Sequence, residues 1–441
     1  MIEVKYKNWN IKYRGNFPCS TEQFVSDIEQ GKKPQGVYGA ICSRDDEMFL
    51  VTDHFGSYPI WYKSQQENFL ISVNQEASFY FYDLPKQNLS RNEQFFFERD
   101  MLGGFTVSNR TQYNDIKRVQ PDCIVHIKNG VDSIKQFQSL MNNKITTENF
   151  AELRDNFEKY IIDKCSDKNV LFLSGGKDSA TLAHIIKKLN LQDKFKFISL
   201  WSAKSKTNEK EAVTRIAEAI GIEVQFVAIE YSGKIFDEKT NEQLFDFWIE
   251  NSYSAKKKAI QILGLQDHLC WSGEVGVGNM QSRFVLQYFA QKGYNIEDMA
   301  RFHVNICGSY RRLCSVTSEP LAYMNPVSPD IYQECVDYFK NQLKTFEEHP
   351  DKINRLLFCR LKDESCFRLY PYSQDREIEW IHPYIEYNFI NTCINLPSSV
   401  KFYNNKDKNI YRSSWPEMTN IPWEYAKSGL GIPAHSKYNT D

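Results

Sequence analysis

A short glycine-rich segment between an apolar run and a helical pattern constrains this 441-residue chain more than any other feature. Residues 170–173 are all apolar, which is typical of a buried strand, and residues 181–186 follow a helical pattern. Between them stands Ser-Gly-Gly-Lys-Asp-Ser, residues 174–179. Adjacent glycines let backbone N–H groups approach an anion, and a helix start adds free N–H groups and a positive dipole end. The segment therefore predicts a phosphate-binding loop.

The composition of the loop narrows the kind of phosphate site. It contains no Gly-x-Gly-x-x-Gly, and Gly176-Lys177 is followed by an aspartate rather than by serine or threonine, so neither common nucleotide motif fits. Asp178 would repel a phosphate unless a cation bridged the two, so the sequence predicts Mg²⁺ with Asp178 as its ligand. A plain turn rich in small residues is the alternative, but the strand before it and the helix after it argue against that interpretation.

The pattern on either side of residue 145 predicts two domains of different class. From residue 146 onward, a helical pattern at 150–165 with a cap at 147–149, an apolar run at 195–201 and a helical pattern at 209–220 alternate around the loop. This alternation is typical of a parallel-sheet α/β domain, predicted over 146–441. Residues 1–145 show short apolar runs and turn signals instead, including an Asn-Gly hairpin signal at 129–130, and predict a β-rich domain.

Composition excludes several partners. Lys and Arg number 54 against 56 Asp and Glu, so no chain-wide basic surface exists and no nucleic acid is expected as partner. No apolar run approaches the roughly 20 residues of a membrane helix, so no membrane association is expected. The 11 cysteines form no Cys-x-x-Cys pair and no signal peptide is evident, which predicts a cytoplasmic protein with reduced thiols.

Several segments resemble one family in chain order. Ser-Gly-Gly-x-Asp-Ser is similar to the pyrophosphate loop of N-type ATP pyrophosphatases. Further segments of this chain resemble segments of the asparagine synthetase and β-lactam synthetase group. They are residues 36–40, 53–62, 72–77, 116–121, 209–221, 272–274, 379–385, 407–412 and 426–430. The resemblance implies an N-terminal amidotransferase-like, Ntn-type sandwich, a C-terminal ATP-pyrophosphatase synthetase domain, and the use of ATP and Mg²⁺.

Two positions depart from the family pattern. Ile2 stands where asparagine synthetases carry the cysteine that releases ammonia from glutamine, so glutaminase activity is not expected. The chain therefore resembles more closely the members that use amine nucleophiles, such as β-lactam synthetase and lasso-peptide cyclases. Val277 stands where the family has a second metal-binding aspartate. Either Asp178 holds Mg²⁺ with Glu274 or water, or the metal site is weakened.

The resemblance also implies a role for each candidate site residue. Pyrophosphate would lie on Ser174, Gly175, Gly176 and Ser179, and the backbone of Leu200 and Gly273 would hold adenine and ribose. Lys408 would bind phosphate, Lys427 would stabilise negative charge in the transition states, and Glu379 would be the general base for the attacking amine. A solvated basic surface is the alternative for Lys408, and a surface ion pair is the alternative for Glu379.

These roles predict an ATP-dependent, AMP-forming amide ligase or cyclase. Its partners would be a small-molecule or peptide carboxylate and an amine. Two alternatives stay open at this stage. One is an N-type enzyme that modifies a nucleobase or tRNA, and the other is a non-catalytic relative that binds nucleotide.

Overall fold

The computed structural model describes residues 1–17, 19–63, 77–84, 90–102, 106–129, 131–137, 149–201, 209–229, 247–274, 295–301, 304, 328–345, 362, 368–397 and 410–422. The chain divides into two compact units. The first unit comprises residues 1–145, 293–308 and 320–374, and the second comprises residues 146–292, 309–319 and 375–441. Two segments that lie within the predicted second domain, 146–441, therefore belong to the first unit.

Strands predominate in the first part of the chain. The elements are β1 (Ile2–Tyr6), β2 (Trp9–Gly15), α1 (Thr21–Glu29), β3 (Tyr38–Arg44), β4 (Glu47–Thr52), β5 (Trp61–Lys63), β6 (Ala77–Ser78), α2 (Glu93–Met101), β7 (Ile116–Arg118), β8 (Cys123–Lys128) and β9 (Val131–Gln136). Six strands form an antiparallel sheet in the order β1-β2-β3-β4-β8-β9, and three form a second sheet in the order β6-β5-β7. The predicted β-rich character is confirmed, and the Asn129 turn joins β8 to β9 as the hairpin signal indicated.

The six-stranded sheet is buried on both faces because its central strands alternate between two apolar clusters. Tyr38, Ala40 and Cys42 of β3 join the cluster that packs with Phe24, Val25 and Ile28 of α1. Ile41 on the same strand faces the opposite cluster, which includes Ile60, Tyr62 and Phe79. Successive side chains of a strand point to opposite faces, so a fully apolar strand is the expected pattern for a sheet covered on both sides. The Ntn-type class of this unit stays a prediction.

Helices and parallel strands follow from residue 149. The elements are α3 (Phe150–Lys164), β10 (Asn169–Phe172), α4 (Lys177–Lys188), β11 (Phe195–Trp201), α5 (Glu209–Ile220), β12 (Val224–Ala228), α6 (Phe247–Leu263), β13 (Leu269–Trp271), α7 (Pro329–Thr345), β14 (Trp380–Ile381), α8 (Tyr387–Asn395) and α9 (Ile410–Ser414). Asn149 caps α3 by accepting a hydrogen bond from the Glu152 N–H, within the predicted cap segment. Helix α7 belongs to the first unit, where Glu334 forms a 2.5 Å ion pair with Arg110.

The second unit is built on a five-stranded parallel sheet in the order β12-β11-β10-β13-β14. All four residues of β10, at the centre, are buried. The predicted parallel-sheet α/β class is thereby confirmed for this unit. Parallel strands place their carboxyl ends at one edge of the sheet, and that edge is where ligands bind in open α/β sheets. Among the described helices, none has the length and apolar character that crossing a membrane requires.

Candidate functional site

A cleft of about 400 Å³ lies at the carboxyl ends of β10, β11 and β13 in the second unit. Six of the residues predicted to bind nucleotide line it, namely Ser174, Gly176, Asp178, Ser179, Leu200 and Gly273. The other lining residues are Phe172, Leu173, Trp201, Glu209, Ser252, Lys256 and Glu274. The structure therefore brings the glycine-rich loop together with two strand ends that are distant from it in sequence.

The two serines of the loop tie it to the start of α4. Ser179 Oγ accepts a 3.0 Å hydrogen bond from the Ser174 N–H and lies 3.0 Å from Ser174 Oγ. Gly176 N–H donates in turn to Ser174 Oγ at 3.3 Å. These bonds turn the chain sharply between β10 and α4, so that the loop and the first turn of the helix face the same cleft.

Gly273 allows the end of β13 to pass close to this loop. A Cβ atom at Gly273 would lie 3.2 Å from the backbone nitrogen of Ser179 and 3.4 Å from its Cα. The first of these distances is tighter than most Cβ contacts, and the neighbour is backbone that cannot swing away. Glycine at this position therefore keeps the β13 end packed against the phosphate loop.

An unpredicted carboxylate contacts the loop backbone. The Gly175 N–H donates a 2.8 Å hydrogen bond to Glu209 Oε1, from the first residue of α5. That N–H is one of the groups predicted to donate to a phosphate oxygen. Its bond to the carboxylate shows that it can donate to an anionic oxygen. Residues 209–221 resemble a segment of the family, but their spacing does not predict a contact between Glu209 and the loop.

The cleft also contains a partly buried lysine that no sequence motif predicts. Lys256 Nζ lies 2.9 Å from Glu274 Oε1 and 3.2 Å from Ser272 Oγ, and its side chain is only 12% exposed. Ser252 donates to the same Glu274 oxygen at 3.2 Å. Lys256 and Ser252 both come from α6, whose sequence shows no motif. Lys256 is the one cationic side chain among the described residues that line the cleft.

Two buried tyrosines fix the aspartate of the loop. Tyr411 donates a short hydrogen bond to Asp178 Oδ1, and Tyr384 donates a 2.5 Å bond to the backbone carbonyl of Asp178. Burial, together with the nearby Asp178 carboxylate, raises the pKa of both phenols well above the ordinary value. Both tyrosines therefore stay neutral donors, and their hydrogen bonds orient Asp178.

A buried histidine follows β14 near the charged pair of the cleft. Burial lowers the pKa of His382 to about 3, with Glu274 opposing the shift and Lys256 adding to it. The imidazole is consequently neutral at physiological pH. No sequence motif predicts a role for this histidine.

Three predicted residues fall outside this cluster. Glu379 is exposed at the amino end of β14, where its carbonyl accepts the Cys270 N–H, and it is not among the lining residues. The structure does not bring Glu379 into the described lining of the cleft, and its general-base role stays a prediction. Lys408 and Lys427, like Val277, lie outside the described residues.

The carboxylates of the cleft suit a metal ion that is bound mainly through phosphate. Across the described ranges, no group of three or more His, Cys, Asp or Glu side chains could hold a metal by itself. Asp178 lines the cleft with one oxygen already bonded to Tyr411. Mg²⁺ commonly takes one or two protein carboxylates and completes its shell with phosphate oxygens and water. Asp178 fits that pattern, and the predicted Mg²⁺ would require the nucleotide.

The second unit thus combines a parallel sheet with a Ser-Gly-Gly-x-Asp-Ser loop that lines a cleft at the carboxyl ends of the strands. Residues 149–267, which hold α3 through α6, match the family model described as NAD synthase. Among solved structures, the U34-tRNA thiolase NcsA from Methanococcus maripaludis with its [4Fe-4S] cluster is similar at 14% identity. That match covers 48% of this chain and 78% of the thiolase chain, with a TM-score of 0.23. No curated protein matches the chain.

Proposed function

We propose that this protein is an ATP-dependent, AMP-forming synthetase or cyclase that joins a carboxylate to an amine. The observation that carries the proposal is the loop of residues 174–179, four of whose residues line a cleft that also holds Lys256. The nucleotide-binding class is common to many reactions. The resemblance to the asparagine synthetase and β-lactam synthetase group supports the choice of amide formation.

In the first step, a carboxylate oxygen of the acid attacks the α-phosphorus of ATP. The bond from that phosphorus to the oxygen bridging to the β-phosphorus breaks, and pyrophosphate leaves. Ser174, Gly175, Gly176 and Ser179 would hold the pyrophosphate by N–H and hydroxyl donors. Asp178 would hold Mg²⁺, which would supply positive charge against the phosphates. Lys256 supplies a fixed cation inside the cleft, and preorganised charge of this kind stabilises a transition state more than water does.

In the second step, the amine nitrogen attacks the carbonyl carbon of the acyl-adenylate. The amine loses a proton, the bond from the carbonyl carbon to the phosphate oxygen breaks, and AMP leaves with the electron pair. Glu274 is our candidate for the proton acceptor instead of Glu379, because Ser252 and Lys256 hold its carboxylate in the cleft. Lys427 keeps the transition-state role, and Lys408 the phosphate-binding role, that the resemblance implies.

Three of the described cysteines of the first unit, Cys19, Cys42 and Cys123, support an amine rather than glutamine as the nitrogen source. Burial raises the pKa of Cys42, and raises that of Cys123 to about 12. Burial also raises the pKa of the partly exposed Cys19. Because the thiolate is the reactive form, these three thiols are poorly suited to act as nucleophiles.

ATP–pyrophosphate exchange with a panel of small acids and peptides tests the proposal. We expect exchange with an accepted acid, and a loss of at least about a hundredfold in Asp178→Asn, because the phosphates lose a metal ligand that stabilises their charge. Asp193→Asn is the matched control, since Asp193 is exposed after α4. Full exchange in Asp178→Asn would overturn the assigned site.

The same assay separates the alternatives. Pyrophosphate release that requires RNA instead of an acid would indicate the nucleobase-modifying alternative. ATP binding without exchange or release for any acceptor would indicate a non-catalytic binder. Either result would replace the amide-forming proposal.

A further inference from the structure

The contact between Glu209 and the phosphate loop has a second consequence. The carboxylate of Glu209 lines the cleft and accepts the Gly175 N–H at 2.8 Å. A phosphate oxygen of a bound nucleotide would need the same donor. One N–H cannot serve both oxygens at full strength, so the side chain and the ligand compete for it.

Charge makes this competition stronger. Asp178, Glu209 and Glu274 all line the cleft, whereas Lys256 is the one cation among the described lining residues. A pyrophosphate that arrived with Glu209 still on the loop would meet a like charge within a few ångströms, which is unfavourable in a partly buried site. The Glu209 side chain must therefore rotate away before a phosphate can occupy the Gly175 donor.

Glu209 is placed to rotate without disturbing the fold. It is the first residue of α5, where a carboxylate is favoured by the free N–H groups and the dipole of its own helix. The next turn of α5 stays fixed, because Ala212 and Val213 are buried. A swing of Glu209 from Gly175 toward its own helix start would leave that packing intact.

We infer that Glu209 is a displaceable placeholder for pyrophosphate: its carboxylate occupies the Gly175 donor in the empty site, yields to Mg-ATP, and returns to help pyrophosphate leave. This inference rests on the proposed function and adds to it a residue that sets the affinity of the pyrophosphate site. When the site is open in only a fraction of the molecules, the apparent dissociation constant of the ligand equals the intrinsic constant divided by that open fraction. Removal of the placeholder should restore the full affinity.

Binding of Mg-pyrophosphate measured by titration calorimetry tests the inference directly. We expect Glu209→Ala to bind Mg-pyrophosphate about tenfold more tightly than the wild type, which corresponds to a site open for about a tenth of the time, and Glu209→Gln to gain less. Glu209→Gln keeps an oxygen acceptor for the Gly175 N–H but loses the charge. Glu218→Gln is the matched control, because Glu218 is exposed on the same helix, and it should leave the affinity unchanged. Thermal unfolding of each variant checks that the fold is retained.

The possible results separate the inference from the proposed function. Unchanged affinity in both folded Glu209 variants would make the contact a structural tie between α5 and the loop, and would overturn the inference. Weaker binding would make Glu209 a ligand of the metal or phosphate, and would also overturn it. If the folded wild type bound neither Mg-ATP nor Mg-pyrophosphate, the nucleotide site would be wrong, and the inference would fall with it.

Discussion

The hydroxyl group of Tyr384 lies 2.5 Å from the carbonyl oxygen of Asp178, although 206 residues separate the two in sequence. Tyr411 reaches the Asp178 side chain from the same region. Both phenols are fully buried and pack near each other, with ring centroids 6.0 Å apart. Asp178 of the loop at residues 174–179 is thus hydrogen-bonded by two residues that come very late in the chain. This relationship makes those residues part of the proposed machinery.

Tyr411→Phe should weaken the metal-dependent step. Loss of a hydrogen bond to a charged group costs about 1.5–3 kcal/mol, so we expect kcat/KM for ATP to fall by roughly 10- to 150-fold. The concentration of Mg²⁺ needed for half-maximal exchange should rise, because the Asp178 carboxylate loses the donor that orients it. The measurement is ATP–pyrophosphate exchange across a range of Mg²⁺ concentrations.

Tyr384→Phe is the comparison for that experiment, because Tyr384 donates to the Asp178 backbone rather than to its side chain. We expect Tyr384→Phe to lower the unfolding temperature with little change in Mg²⁺ requirement. If both variants shift the Mg²⁺ requirement equally, Tyr411 has no specific role in orienting the carboxylate.

Lys256→Met should reduce turnover more than it reduces ATP binding. The substitution keeps an apolar stem of similar length but removes the cation and leaves Glu274 without that partner. Loss of one preorganised charge typically costs a hundredfold or more in kcat. The measurement is steady-state kinetics with the accepted acid, and Lys258→Met on the same helix is the control. An equal fall in kcat for both variants would show that the loss comes from a general disturbance of α6 and would contradict a specific role for Lys256.

Stability should fall on acidification because His382 is buried and neutral. The pKa of His382 is about 3 in the folded protein, below its ordinary value of 6.5. Between these two values the unfolded chain binds a proton that the folded chain does not, so stability is lost as the pH falls below about 6.5. From about pH 7 to about pH 4.5, this one group should remove about 2–3 kcal/mol of unfolding free energy.

Urea unfolding of the wild type and of His382→Gln at the two pH values isolates this contribution. The wild type should lose about 2 kcal/mol more than the variant over that interval, since glutamine does not titrate. Equal losses in the two proteins would show that the imidazole is protonated in the folded state or is accessible to solvent.

Local patterns predicted much of the fold. The apolar run before the loop is β10, the pattern after it is α4, and the predicted strand at 195–201 and helix at 209–220 are β11 and α5. Each of these predictions depends on the spacing of apolar residues and on turn or cap residues, which are recognisable within a few residues of sequence. Helix α2 was not predicted, because Phe95, Phe96 and Phe97 stand in a row and carry no helical period.

The site was only partly predictable, because half of it depends on tertiary contacts. The loop residues share one motif, so their common position followed from the sequence. Tyr384, Tyr411, Lys256 and the Glu209 contact have no motif, and only the three-dimensional fold brings them to Asp178, Glu274 and Gly175. Glu379 shows the limit of local resemblance, because it directly precedes β14 and is not among the described lining residues of the cleft.

Direct binding of Mg-ATP to the purified protein tests the central claim, which is that the cleft at residues 174–179 is a nucleotide site. Calorimetric titration of the wild type should show one Mg-ATP per chain, displaced by Mg-pyrophosphate. Ser179→Ala should weaken binding by at least about tenfold, the equivalent of about 1.4 kcal/mol, because Ser179 Oγ holds the Ser174 N–H and offers a donor to phosphate. Ser133→Ala in the first unit should bind as the wild type does. Equal Mg-ATP affinity in wild type, Ser179→Ala and Ser133→Ala, with each protein folded, would contradict the account.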